Sequence, residues 1–303
     1  MKHYFYKVLG ISIVGSILHL CLQLPSQAET TIERIERTGV IRAGAWQDAK
    51  PFGYINENDE WVGYSIDMLT VIQNQLEKAL KQSIKLELVE ANTENRFDLI
   101  MNNQVDISCG PTSFTWNREK YIDFSLSYFV TGTQFLVPKG KKLDSLQDLR
   151  GLRIGVEANT TNEAILKAWD SQLNLVTVAN RSDGIAQLQE GKIDIYASDG
   201  ILLEALKATA TKPNAWEIIP KDDLINRESY ACLLPENDSQ WRDFVNYSIL
   251  RAIQGYLIDD PEFKQMFDQW FGEAGVVPYS PEVLTDHFQS IVDSVERIPT
   301  TAF

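Results

Sequence analysis

From residue 40 onward, short apolar runs alternate with segments whose apolar positions recur every three to four residues, the mark of strands interleaved with amphipathic helices. Residues 40–44 read as a first strand. Ile66, Leu69, Ile72, Leu76 and Leu80 then keep helical spacing, Leu86 and Leu88 alternate on a second strand, residues 96–102 suit a helix and 105–109 a third strand. An extended stretch at 132–136 leads into a second block: a short helix at 144–149, strands at 153–156, 175–178 and 193–196, and helices at 161–169 and 182–189. Two more extended segments, 216–219 and 230–234, precede a wholly helical end. Trp241, Phe244, Val245, Ile249 and Ile253 mark one helix there, and Phe263, Met266, Phe267, Trp270 and Phe271 a second, with their aromatics on the core-facing stripe. A last amphipathic segment, 283–295, is expected to pack on the body. The pattern predicts α/β layers and argues against a β-sandwich or a helical bundle.

With 303 residues, the chain fits two domains of ordinary size. Its 28 basic and 42 acidic side chains give a formal charge of -14, which repels a polyphosphate backbone, so nucleic acid is excluded as a partner. The N-terminus carries Lys2 and Lys7, an apolar run from Val8 to about Leu22, and small residues at Ser26 and Ala28. This is the layout of a cleavable secretory signal over residues 1–28, and it implies a periplasmic address. Cys21 leaves with that signal. Cys109 and Cys232 remain, and in an oxidising compartment they form either a disulfide or two free thiols, the former being the expectation.

Enzyme motifs are sparse. Of the three histidines, His3 and His19 lie in the signal and only His287 remains, so no His-based metal site and no His-assisted nucleophile is expected. No phosphate-cradling glycine loop and no serine elbow is present. The chain is expected to be no enzyme, and to hold no metal and no cofactor. The informative stretch is Ser108-Cys109-Gly110-Pro111-Thr112-Ser113-Phe114-Thr115-Trp116-Asn117-Arg118, running from a buried strand into a polar turn and an expected helix start. Hydroxyls from Thr112, Ser113 and Thr115, free amides and the Arg118 guanidinium converge at the carboxyl end of a strand, where open α/β sheets bind ligands. Such a place suits a carboxylate, with Arg118 as the bidentate fork. A capped surface loop is the other reading of the same residues.

At these residues the chain resembles the periplasmic amino-acid-binding proteins of ABC importers, solute-binding protein family 3, most of all their glutamate/aspartate-binding branch. The likeness spans roughly residues 31–272. It is carried in order by Gly44, Pro51-Phe52, the run Val62-Gly63-Tyr64-Ser65-Ile66-Asp67, Asn95-Arg96, the stretch from Cys109 to Arg118 and Asp123-Phe124-Ser125. Val156-Glu157-Ala158-Asn159-Thr160-Thr161, Asp199, Tyr230-Ala231-Cys232 and Trp270-Phe271 continue it.

The resemblance implies a two-lobe fold of type II with the ligand cleft between lobes. Lobe 1 would hold residues 29–134 and 230–275, lobe 2 residues 135–229, and a C-terminal helical extension residues 276–303. Crossover strands near 132–137 and 228–233 would form a hinge. By the same resemblance the ligand's α-carboxylate falls to Arg118 with Thr160 and Thr161, and its α-ammonium to Asp199, which otherwise reads as a helix cap. Ser113 and Thr112 join the site, and Arg96 and Arg181 are candidates for a side-chain carboxylate. Cys109 and Cys232 match cysteines of the branch on neighbouring strands, which strengthens the disulfide. Two departures bear on the side-chain pocket: Trp46 stands where acidic-ligand members tend to have arginine, and Pro111 where they have serine. Trp46, Phe52 and Phe114 would then wall an aromatic pocket. The expected function is therefore a monomeric carrier that captures a polar L-amino acid, glutamate or aspartate favoured, by lobe closure, and delivers it to a membrane ABC permease complex. Neutral or broad-range amino acids are one alternative, and a dehydratase-like enzyme on the same scaffold is another.

Overall fold

The computed structural model describes residues 29–221, 225–295 and Ile298, so the expected signal over 1–28 lies outside the described residues. Helix α1 (Thr31–Thr38) starts on a capping box between Thr30 and Glu33 and stops at Gly39, whose φ of 68° favours a residue without Cβ. Strand β1 (Val40–Ala45) follows. Three short strands, β2 (Asp48–Ala49), β3 (Gly53–Ile55) and β4 (Trp61–Val62), form a small sheet of their own. Helix α2 (Tyr64–Leu80), β5 (Lys85–Glu90), α3 (Arg96–Met101), β6 (Ile107–Ser108) and the long β7 (Asp123–Thr131) complete the first block. The second block runs through β8 (Thr133–Pro138), β9 (Arg153–Glu157), α4 (Thr161–Trp169), β10 (Asn174–Val178), α5 (Arg181–Gln189), β11 (Ile195–Asp199), α6 (Gly200–Thr209) and β12 (Trp216–Ile219). The chain returns through β13 (Glu228–Leu234) and ends in α7 (Ser239–Leu257), α8 (Pro261–Phe271) and α9 (Pro281–Ser294).

Two five-stranded sheets result, ordered β5-β1-β6-β13-β7 and β10-β9-β11-β8-β12. In each, the first three strands are parallel, as helical crossovers require, and the last two join antiparallel. Val40 lies opposite Lys85 in the first sheet, and Ile154 opposite both Leu175 and Ile195 in the second. The chain crosses between lobes at Gly132 and again between β12 and β13. Because Thr131 pairs with Glu228, the two crossings run side by side, and Asn226 Oδ1 accepts the Thr133 amide at 3.0 Å to join them.

The first lobe owes its core to aromatics packed mostly edge to face. The Phe52 ring lies 4.9 Å from Phe129 and 5.1 Å from Tyr230, and Phe129 lies 4.7 Å from Phe271. Each such side chain, fully buried, contributes about 2 kcal/mol or more. The C-terminal helices belong to this lobe: Trp270 Nε1 donates to Asp67, in the first turn of α2, at 2.6 Å. Helix α9 buries Leu284, His287, Phe288 and Val292, and ahead of it Tyr279 donates to the Val130 carbonyl at 3.0 Å, so the last amphipathic segment packs on the body as expected. The second lobe sandwiches its sheet between two apolar layers. Phe135, Ile154, Val156 and Ile195 face one side, and Leu136, Val178, Tyr196 and Ile218 the other, the period-2 alternation of a sheet covered on both faces.

Cys109 and Cys232 are joined in a disulfide between the end of β6 and β13, with Cα atoms 4.3 Å apart. Three features differ from expectation. Strand β7 is absent from the expected elements, although Phe124, Leu126 and Tyr128 alternate with Ser125 and Ser127 along it. The small β2-β3-β4 sheet has strands too short for periodicity to register. The expected helix start after Thr115 is a set of turns, closed by Arg118 N and Glu119 N donating to the Thr115 carbonyl.

Candidate functional site

The parallel strands of both sheets aim their carboxyl ends at the space between the lobes, where departing loops leave backbone amides free of the ladder. Most of the polar lining hangs on such an end. Thr93 and Arg96 follow β5, Pro111, Ser113 and Arg118 follow β6, Thr160, Thr161 and Asn162 follow β9, and β11 finishes on Asp199. The cleft they surround is narrow and nearly filled by these side chains.

On the first-lobe wall, Arg118 is held inside its own loop by Nη1 donating to the Ser113 carbonyl at 2.7 Å, and it reaches across the cleft with Nη2 to the Asn159 carbonyl at 3.2 Å. Arg96 Nη2 donates to the same carbonyl at 3.0 Å, and its buried Nε has no partner. Both guanidiniums flank the Phe97 ring, at 4.9 Å for Arg96 and 5.3 Å for Arg118, which fixes their planes. Burial disfavours the charge on each. For Arg96, burial and then the like charges of Arg118 and Arg181 push its pKa down to about 9, so it stays cationic at neutral pH but gains from any anion brought close. Arg118 is lowered by burial against the pull of Glu228.

On the second-lobe wall, α4 begins at the cleft. Its N-cap Thr160 accepts from Glu163 N and donates to the Glu157 carbonyl at 2.7 Å, leaving the helix's positive end facing the lining. Asp199 precedes α6 in the N-cap position, yet its side chain caps nothing. It accepts instead from Tyr230 Oη, and from Asn162 Nδ2 at 3.2 Å, while Asn162 Oδ1 stays buried without a donor. Burial, then the charge of Glu228, raises the Asp199 pKa to about 7. A cation seated against it would reverse that shift. Glu228 lies just behind, on β13, and its carboxylate accepts from Ser113 Oγ of the first lobe, Thr161 Oγ1 of the second at 2.5 Å, Thr133 Oγ1 at 3.3 Å and Asn226 Nδ2 at 2.7 Å. It ties both walls to β13.

Of the residues singled out from sequence, Arg118, Ser113, Thr160, Thr161, Asp199, Arg96 and Arg181 come together on this cleft. Three do not. Phe52 is fully buried in the first lobe's aromatic core, because β2 and β3 turn it inward away from the cleft. Thr112 is buried behind the lining, its carbonyl accepting the Ala231 amide at 3.0 Å. Trp46 lies under the lining as a platform, with the Arg181 guanidinium 5.0 Å and that of Arg96 5.6 Å above its ring. Sequence reasoning missed Asn162, Thr93 and Glu228 as parts of the site. Asn162, the polar residue after Thr161 in a helix's first turn, carried a usable signal. Glu228, a lone charge opening an apolar strand, carried a weaker one.

Among the described residues no cluster of metal-ligating side chains occurs, and no helix is long and apolar enough to cross a membrane. Residues 41–273 match the model of the bacterial extracellular solute-binding proteins, family 3. The chain is similar to the glutamate/aspartate import solute-binding protein of Salmonella typhimurium, at 29% identity over 267 residues covering 86% of this chain and 85% of that one. It is also similar to the L-glutamate/L-aspartate-binding protein of Pseudomonas aeruginosa, at 26% over 288 residues covering 93% and 91%. Among solved structures, the cysteine-binding protein of Campylobacter jejuni superposes with a TM-score of 0.69 at 22% identity, over 79% of this chain and 92% of that one, and shares the fold.

Proposed function

The chain belongs to the bacterial extracellular solute-binding proteins of family 3, and from that premise we propose that it captures a dicarboxylic L-amino acid, glutamate or aspartate, in the periplasm by lobe closure and hands it as a monomer to a membrane ABC permease. The relatives that bear glutamate and aspartate in their names support the acidic class. The observation that carries the reading is a balance of charge. Arg181 is already matched by Asp48 at 2.9 Å and Glu157 at 3.8 Å, and Glu228 stands behind the lining with its oxygens taken by Ser113, Thr161, Thr133 and Asn226, which leaves Arg96 and Arg118 against Asp199 on the lining itself. Two cations facing one anion complement a ligand with two carboxylates and one ammonium.

Arg118 takes the α-carboxylate together with the first-turn amides of α4 at Thr160 and Thr161, where guanidinium and helix end add. Asp199 takes the α-ammonium, with the free Asn162 Oδ1 as a second acceptor. Arg96, whose Nε is unmatched, takes the distal carboxylate. Because these groups come from opposite lobes, the ligand satisfies all of them only when the lobes are shut, so its binding energy is differential and drives closure. Denaturing the protein purified from its own periplasm and identifying released small molecules by mass spectrometry tests the class. Glutamate or aspartate is the expected release, and a neutral or basic amino acid in stoichiometric amount overturns the assignment.

A further inference from the structure

Arg181 stands at the first position of α5, in the second lobe, and only 5% of its side chain is exposed. Its Nη1 donates to Asp48 Oδ1 at 2.9 Å, and its guanidinium lies 5.0 Å over the Trp46 ring, both groups of the first lobe. Its third neighbour, Glu157, sits in its own lobe at 3.8 Å from Nε. Burial alone would lower the Arg181 pKa, and Glu157 and Asp48 more than offset it, so the group is held charged. Trp46 offers a fixed face, since its indole lies flat on Gly110, where a Cβ would collide with it.

A second-lobe cation is thus wedged between an aromatic face and a carboxylate of the first lobe. Moving the lobes apart would carry Glu157 along with Arg181 but break the contacts to Asp48 and Trp46. Contacts present in one state and lost in the other shift the population between them, ligand or no ligand.

We propose that Arg181 and Asp48 form an interlobe clasp that favours the closed state by itself, a positioning pair that takes no part in holding the ligand. The inference rests on reading the interlobe space as a site that opens and shuts. It adds that Arg96, not Arg181, answers the ligand's distal group.

The test needs no ligand. Spin labels on Tyr247 of α7 and on Glu190 beside α5, both exposed, report the lobe separation in the ligand-free protein. Asp48 is 35% exposed on its side chain, so replacing it leaves the core intact, which an unchanged near-ultraviolet circular dichroism spectrum verifies. The unmodified protein should show a short-distance population. Asp48→Ala should lower its closed-to-open ratio about tenfold, Asp48→Asn, which keeps an acceptor, should lower it less, and Asp48→Glu should largely restore it. Identical distance distributions in the unmodified protein and Asp48→Ala would overturn the clasp. A clasp that passes this test in a protein shown to bind no amino acid would stand while the ligand assignment fell, so the two readings fail separately.

Discussion

The first lobe and the second repeat one strand arrangement, three parallel strands beside two antiparallel ones, but they are held and armed differently. Around the first sheet lie an aromatic cluster, a disulfide and the three C-terminal helices, and from this frame Arg96 and Arg118 project with their planes fixed by Phe97. The second sheet has mainly aliphatic layers on both faces, with Phe135 in one and Tyr196 in the other, and presents a helix end, Asp199 and Asn162. Rigid cations on one side and a carboxylate with helix amides on the other make each half incomplete alone. A ligand with both signs of charge is what completes the pair.

The comparison breaks most sharply at Arg118. Arg118→Ala should weaken binding about a thousandfold, since it removes a charge-assisted donor from a buried site, while the melting temperature stays close to that of the parent. Retained affinity by calorimetry would show that the first lobe contributes its cation elsewhere. Next in size is the disulfide. Replacing Cys109 and Cys232 with serine should cost roughly 2–5 kcal/mol in denaturant unfolding, an effect confined to the first lobe, which hydrogen exchange resolved by segment would display.

His287 sharpens the same contrast, because it lies in the first lobe's extension with Nε2 2.8 Å from Ser127 Oγ. Burial, then the nearby charge of Arg227, lowers its pKa from 6.5 to about 4. The unfolded chain therefore takes up this proton first as the pH falls, so the neutral ring's contribution is fully present above the unfolded value and is lost between 6.5 and about 4. The loss should reach on the order of 2 kcal/mol, and His287→Gln should flatten that part of the stability curve. The smallest expected effect belongs to the second lobe. With the Asp199 pKa near 7, ligand binding must expel a proton below that point, and affinity should fall about fivefold from about pH 7 to about pH 6. Calorimetry in buffers of different ionisation enthalpy would register the released proton, and Asp199→Asn should abolish both the release and the pH dependence.

Much of the architecture was legible because its elements are long and periodic. The α2, α4, α7 and α8 stripes and the 153–157 and 195–199 strands stand near their expected places. The cation of the first lobe was legible as well, since Arg118 closes a polar turn after a buried strand. What escaped was set by tertiary context. The two ring-bearing residues Phe52 and Trp46 looked alike as pocket walls, yet the local turn of β2 and β3 sends one into the core, and Gly110 seats the other as a platform beneath two guanidiniums. Glu228 escaped because its importance lies in joining Ser113 and Thr161, residues of different lobes that only the three-dimensional fold brings to one carboxylate.

The most direct measurement is calorimetric titration of the protein lacking residues 1–28 with glutamate, aspartate and glutamine. Opposed charges on two closing lobes predict tight, proton-releasing binding of an acidic ligand and binding of glutamine weaker by about tenfold or more, since an amide leaves Arg96 without an anion. Equal or tighter binding of glutamine, or no heat with either acid, would contradict the account.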